Sequence, residues 1–166
     1  MKWLAISLQA GPDFRSYDNA VEASVKDNNQ LKYYAEGSVT ADLTSKDAIN
    51  FKYKQWQWVS STGKIPYFDS TFDLTYRHRF NKQFSSELGV RMLSSDYTAG
   101  SRPSANRVDN LYGVAASVNY AINANLALNL GYNFDMGRNA QDGLGAIEKY
   151  REFDRHVVGV SATVKF

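Results

Sequence analysis

This chain of 166 residues contains no cysteine, which removes both a disulfide framework and thiolate metal ligation from consideration. Its two histidines, without cysteine partners, do not make a metal motif either, and no cofactor is expected. No apolar run approaches the 18 or more residues of a membrane-spanning helix, so a helical membrane protein is excluded. Charge of one sign is also lacking: the formal net charge is +2 with 22% charged residues, too little basic field to point to nucleic acid. Gly143 and Gly145 lack the strand-loop-helix setting of a phosphate cradle, and flexibility is the simpler role for them.

What the chain does have is alternation. At its end, Leu126, Leu128, Leu130, Tyr132, Phe134 and Met136 alternate with Ala127, Asn129, Gly131, Asn133, Asp135 and Gly137. After a polar connection, His156, Val158, Val160, Ala162, Val164 and Phe166 alternate with Arg155, Val157, Gly159, Ser161, Thr163 and Lys165. A period of two sustained over a dozen residues means a strand with one apolar and one polar face. The mean hydropathy of such a chain is low because each strand is apolar on one face only. Aromatic residues make up 14%, a high share.

The same pattern recurs along the chain. Leu4, Ile6, Leu8 and Ala10 form a first apolar face, ended by Gly11-Pro12-Asp13, and residues 11–30 read as one outer loop despite a short alternation over residues 21–26. Residues 1–10 are too short, and lack a small-x-small cleavage site, to be a signal peptide; they read as a strand, with Met1 starting a chain made without its export signal. Further runs start at Leu31, Ile49, Phe68, Leu88 and Val108. In the run from Ile49, Trp56 and Trp58 have the opposite parity to Phe51 and Tyr53, and a one-residue bulge near Lys54 and Gln55 would restore them to the apolar face. The connections alternate between short turns (residues 44–47, 81–83 and 122–125) and longer loops (61–66, 98–107 and 138–152). That rhythm describes an up-and-down antiparallel β-barrel, one domain over residues 1–166, of eight strands, with ten as the alternative.

Two long amphipathic strands around a polar loop, ending on Phe166, resemble the closing hairpin of bacterial outer-membrane β-barrels, and the whole chain resembles the small OmpA- or OmpX-like ones. The stretch from Tyr150 to Phe166 is also similar to the end of larger barrels associated with polysaccharide export. Strands of this length, with aromatics such as Phe80, Tyr120, Trp56, Trp58, Tyr67 and Tyr97 toward their ends, suit an apolar belt with interface girdles. The resemblance implies a Gram-negative outer-membrane location, contact with outer-membrane lipid and lipopolysaccharide, recognition by the barrel assembly machinery through Phe166, and a monomer.

On that reading the polar face is the interior. It holds Lys32, Glu36, Asp42, Asp69, Asp73, Arg77, Arg79, Glu87, Arg91, Asp109 and Asp135, which are expected to pair as a plug because unpaired buried charge is costly. Arg102, Arg107, Arg138, Lys149, Arg151 and Arg155, near the long loops, are candidates for phosphate contacts with lipopolysaccharide or for a loop ligand. The expected role is a membrane scaffold or surface-interaction protein acting through its loops. A narrow porin for small or saccharide solutes is the alternative, and a lipid A-modifying enzyme a further one. An enzyme would need His156 to converge with an acid and a nucleophile such as Asp154 and Ser161, and no His-x-Ser arrangement is present, so no catalytic activity is expected.

Overall fold

The computed structural model describes residues 3–16, 29–59, 66–97, 108–140 and 152–165. These form eight strands: β1 (Leu4–Ser16), β2 (Asn29–Asp42), β3 (Asp47–Val59), β4 (Pro66–Arg79), β5 (Phe84–Asp96), β6 (Val108–Ala121), β7 (Leu126–Ala140) and β8 (Phe153–Val164). All lie in one sheet in chain order, each antiparallel to the next, with no helix among the described residues. This is the all-β, up-and-down architecture expected from the alternation. β1 and β8 stand at the two ends of the order, and no ladder joins them among the described residues.

The three short connections share one construction. At residues 43–46, Leu43 and Thr44 donate their N–H groups to the Asp47 carbonyl, at 2.9 and 3.2 Å. Phe80 and Asn81 do the same to Phe84, and Ile122 and Asn123 to Leu126. The second residue of each turn then closes it with its side chain. Asn81 Oδ1 accepts from the N–H groups of Gln83 and Phe84, both at 2.8 Å, and Asn123 Oδ1 from those of Asn125 and Leu126, at 2.8 and 2.9 Å. Thr44 Oγ1 accepts from Lys46 and Asp47 at 3.0 Å. Asn and Thr suit this position because their short polar side chains satisfy backbone groups that a tight reversal leaves without a ladder partner.

Two local expectations change. The bulge at Lys54 and Gln55 is not formed: β3 pairs with β4 without a break from Asp47↔His78 to Val59↔Pro66. Trp56 and Trp58 therefore share a face with Lys52, Lys54 and Asp69, and Tyr67 and Tyr97 lie on that face with them. The reason is local packing. Trp56 meets the Tyr34 ring at 5.1 Å and lies under the Lys54 ammonium at 4.9 Å, while Tyr67 stacks on Tyr97 at 4.5 Å, so these rings find partners on the polar side.

Nor does Gly11-Pro12-Asp13 end the first strand, which runs on to Ser16 opposite Asn29. Gly11 lies under the Tyr34 ring, where a Cβ would come within 3.0 Å of it. Pro12 is tolerated because β1 stands at one end of the strand order, and its N–H groups on that side have no strand partner among the described residues. Residues 11–16 and 29–30 are thus strand rather than loop, and residues 17–28 lie outside the described set.

Among the described residues nothing covers the apolar face. Ala41 and Ala48 are the only buried apolar residues among those described, whereas Phe72, Leu130 and Val160 are 41%, 53% and 76% exposed. A globular domain would turn these residues onto a second layer; here no second layer exists among the described residues. At the short-turn end this face carries an aromatic and polar cluster. His78 Nδ1 and the Tyr76 hydroxyl each lie 2.6 Å from Asp47 Oδ1, and the rings of His78, Phe80 and Phe84 follow one another at 4.5 and 5.1 Å.

Replacing Asn81 or Asn123 by Ala removes an acceptor from two backbone N–H groups. Each variant is expected to lose about 1 kcal/mol of stability, read as an earlier midpoint in urea unfolding of the refolded protein. Gly137→Ala places a Cβ about 2.5 Å from the Phe153 ring, whereas Gly159 has nothing within 4 Å. The first substitution is expected to destabilise by roughly 1 kcal/mol and the second to be neutral.

Candidate functional site

The polar face is where the charged side chains gather, and the strand register arranges them. One row crosses the sheet as Ser7, Ser38, Lys52, Asp73, Arg91, Gly113, Asp135 and Arg155, one residue from each strand in order. From Lys52 onward its charges alternate in sign, interrupted once by glycine. Arg91 Nε donates to Asp73 Oδ1 at 2.5 Å. Arg155 reaches Asp135 Oδ2 through Nε at 3.0 Å and Nη2 at 2.5 Å. Gly113 makes the spacing between these pairs work, since a Cβ there would stand 3.1 Å from Asp135 Oδ1 and 3.6 Å from Arg91 Cβ.

The neighbouring rows are polar as well. Toward the long connections, Gln9, Glu36, Lys54 and Thr71 follow in register, and Lys54 Nζ lies 3.9 Å from a Glu36 carboxylate oxygen. One row further, Trp56, Asp69, Ser95 and Asp109 align, with the Ser95 hydroxyl 2.5 Å from Asp69 Oδ1. Toward the short turns, Asn50 Nδ2 donates to Thr40 Oγ1 at 2.5 Å and Asn129 Nδ2 to Asn119 Oδ1 at 2.7 Å. Arg77 stands opposite Glu87, Arg79 opposite Ser85, and Asp42 opposite Ala48.

Of the eleven charges expected on this face, ten are placed on it by register. Lys32 lies in β2 opposite Asp13, and its side chain is outside the described set. The ion pairs found among Glu36, Asp73, Arg91 and Asp135 join hydrogen-bonded neighbours along the sheet, and their basic members are well exposed: Arg91 at 59% and Arg155 at 63%. Lys52 belongs to the row although sequence reasoning did not single it out; its parity with Asn50 was the available signal.

The loop cations divide. Arg102, Arg107, Lys149 and Arg151 lie outside the described residues, as does Phe166. Arg155 is a member of the charge row on the polar face, held by Asp135. Arg138 is held on the opposite face: its guanidinium donates to the carbonyls of Gly137 and Phe153, at 2.7 and 3.2 Å, and to Asp154 Oδ1 at 2.8 Å. Both are thus engaged within the sheet.

The residues considered for catalysis do not converge. His156 Nδ1 meets the Tyr132 hydroxyl at 2.8 Å on the apolar face, Asp154 is taken by Arg138, and Ser161 stands on the polar face opposite Asn129. Among the described residues no group of three His, Asp or Glu side chains is placed to hold a metal ion.

Comparison with protein-family models, with curated proteins and with solved structures found no match to this chain. The geometry of the two faces therefore carries the functional reading.

Because Arg91 and Arg155 are exposed, their ion pairs are solvent-screened. Asp73→Asn and Asp135→Asn are each expected to cost under about 1 kcal/mol, against roughly 3–5 for breaking a pair inside a dry plug. Urea midpoints of the two variants, refolded alongside the parent chain, decide between these outcomes.

Proposed function

We propose that this chain is an integral membrane β-barrel protein of the bacterial outer membrane, with its apolar face against acyl chains and its polar face lining a water-filled passage for small polar solutes. The observation that carries the reading is the contrast between the faces of one sheet: large apolar side chains stand uncovered on one, and an exposed row of alternating charge crosses the other. Strand length supports it. Strands of 12 to 15 residues, rising about 3.4 Å per residue and tilted near 40°, stand roughly 30 Å or more, enough for an apolar band about 25 Å tall. The aromatic cluster of Tyr76, Phe80 and Phe84 by the short turns fits one interface of such a band.

A scaffold acting through its long connections would depend on residues outside those described. The wet charge row favours a passage over a plug, because a plug would bury Arg91 and Arg155. Small solutes, ions included, would meet alternating positive and negative groups along the wall, an arrangement suited to weak selectivity rather than to tight binding at one site.

Planar bilayers containing the refolded chain test this. Stepwise single-channel currents are expected, with selectivity shifting toward anions in the Asp73→Asn, Asp135→Asn double variant. A protein that inserts into lipid but carries no current would return the scaffold role, and one that does not insert would remove the membrane assignment.

A further inference from the structure

Every aromatic that the described strands place on the polar face lies on the long-connection side of the charge row. Tyr34 of β2, Trp56 and Trp58 of β3, Tyr67 of β4 and, just beyond β5, Tyr97 are among them. The placement follows from parity and register, and is the same in an open sheet and in a closed ring. A lipid-interface girdle does not account for these rings, since girdle residues belong on the face toward acyl chains, where Tyr76, Phe80 and Phe84 stand. On a wall in contact with water they want another partner.

The rings are set in place by the protein itself. Gly11 leaves room for the Tyr34 ring against β1, where a Cβ would come within 3.0 Å of it, and Tyr34 meets Trp56 at 5.1 Å. Trp58 stands directly opposite Tyr67, which stacks on Tyr97 at 4.5 Å. Acceptors lie beside the rings. Asp69 is opposite Trp56 and accepts from the Ser95 hydroxyl at Oδ1, leaving Oδ2 toward a ligand, and Glu36 is opposite Lys54 in the next row toward the charge row. Rings fixed in advance with a few polar groups around them are how small-molecule sites are built.

We infer that this end of the polar face binds neutral oligosaccharides, their pyranose rings laid on Trp58 and Tyr67 while Asp69 and Glu36 accept hydrogen bonds from their hydroxyls. The inference rests on the membrane reading above and names the class of solute its passage takes. A pyranose has an apolar C–H face to lay on an aromatic ring and a rim of hydroxyls that can donate to ionised carboxylates, which only accept. Rows are about 7 Å apart along the strands, so a ligand reaching from Trp58 to Glu36 spans about 14 Å, more than one sugar ring. Other solutes use less of the surface. An apolar one would take the rings and strip water from the carboxylates without replacing it. A cationic one would find its place filled, because the Lys54 ammonium already lies 4.9 Å from the Trp56 ring centre and 3.9 Å from a Glu36 oxygen. An anionic one would meet Glu36, Asp69 and Asp109 against Lys54 alone among the described side chains of the Lys54 and Trp56 rows.

The chain has one further tryptophan, Trp3, so fluorescence of a refolded Trp3→Phe variant in detergent micelles reports Trp56 and Trp58 alone. Titration with maltotriose and with cellotriose is expected to give a saturable change in emission with at least one of them. Calorimetry then compares Asp69→Asn and Trp58→Leu with the parent chain, and each is expected to bind at least about fivefold more weakly. Far-UV circular dichroism and the urea midpoint report whether each variant is folded; with two variants, one that fails to refold leaves the other to decide. No saturable response to either sugar from a chain with its strand signal intact would overturn the inference. So would binding unchanged in the folded variants, or a response to adenosine as strong as to the better trisaccharide. Single-channel currents together with no sugar binding would overturn this inference alone, whereas failure to insert into bilayers would overturn the membrane reading and this inference with it.

Discussion

A single sheet has two faces and, among the described residues, nothing to set against either, and that constraint governs the rest of the described structure. A chain that is 43% hydrophobic ordinarily folds so that its apolar groups meet. Here period-two alternation sends most of the large aliphatic ones to one side of eight consecutive strands, and antiparallel register keeps them there from β1 to β8. Phe72, Leu74, Leu88, Val90, Val114 and Leu130 form a continuous exposed surface as a result. Contiguous apolar area on that scale marks an interaction surface, and it is the ground on which acyl chains are proposed as its cover.

The other side follows the same register. Because directly opposed residues on neighbouring strands lie within side-chain reach, oppositely charged residues in one row pair without crossing open space. Asp73 with Arg91 and Asp135 with Arg155 are such pairs, and Gly113 between them gives both room. Pairing along the wall neutralises charge locally and leaves the guanidinium groups in contact with solvent.

The fold was legible where the signal was alternation and turn chemistry. The eight strands, their order, and the three short turns at residues 43–46, 80–83 and 122–125 follow from period-two patterning with Asn or Thr in the reversals. Misreadings arose where an aromatic was assigned a face by its chemistry instead of its parity. The expectation that Trp56 and Trp58 seek lipid requires a bulge; their parity alone puts them on the polar face, Trp56 beside Tyr34 and Lys54 and Trp58 opposite Tyr67. Arg155 was grouped with the loop cations because it follows Arg151 and Glu152, although its parity with Val157 put it on the polar side with Asp135. The ion pairs were not legible in advance, since they depend on inter-strand register, which a single strand does not encode.

The repeated turn divides the chain into units. β2 with β3, β4 with β5, and β6 with β7 are each joined by four residues closed by the same side-chain device, whereas β1 and β8 lack such a link to any neighbour. Pairing across a short reversal costs little chain entropy, and pairing across a long one costs more. The three hairpins are accordingly the first pieces able to form, zipping from their closed ends, and the two solitary strands are the last to be captured. Folding that proceeds from the middle of the sequence outward leaves the terminal strands as the parts whose docking is decided latest, when another strand's edge is already there to receive them.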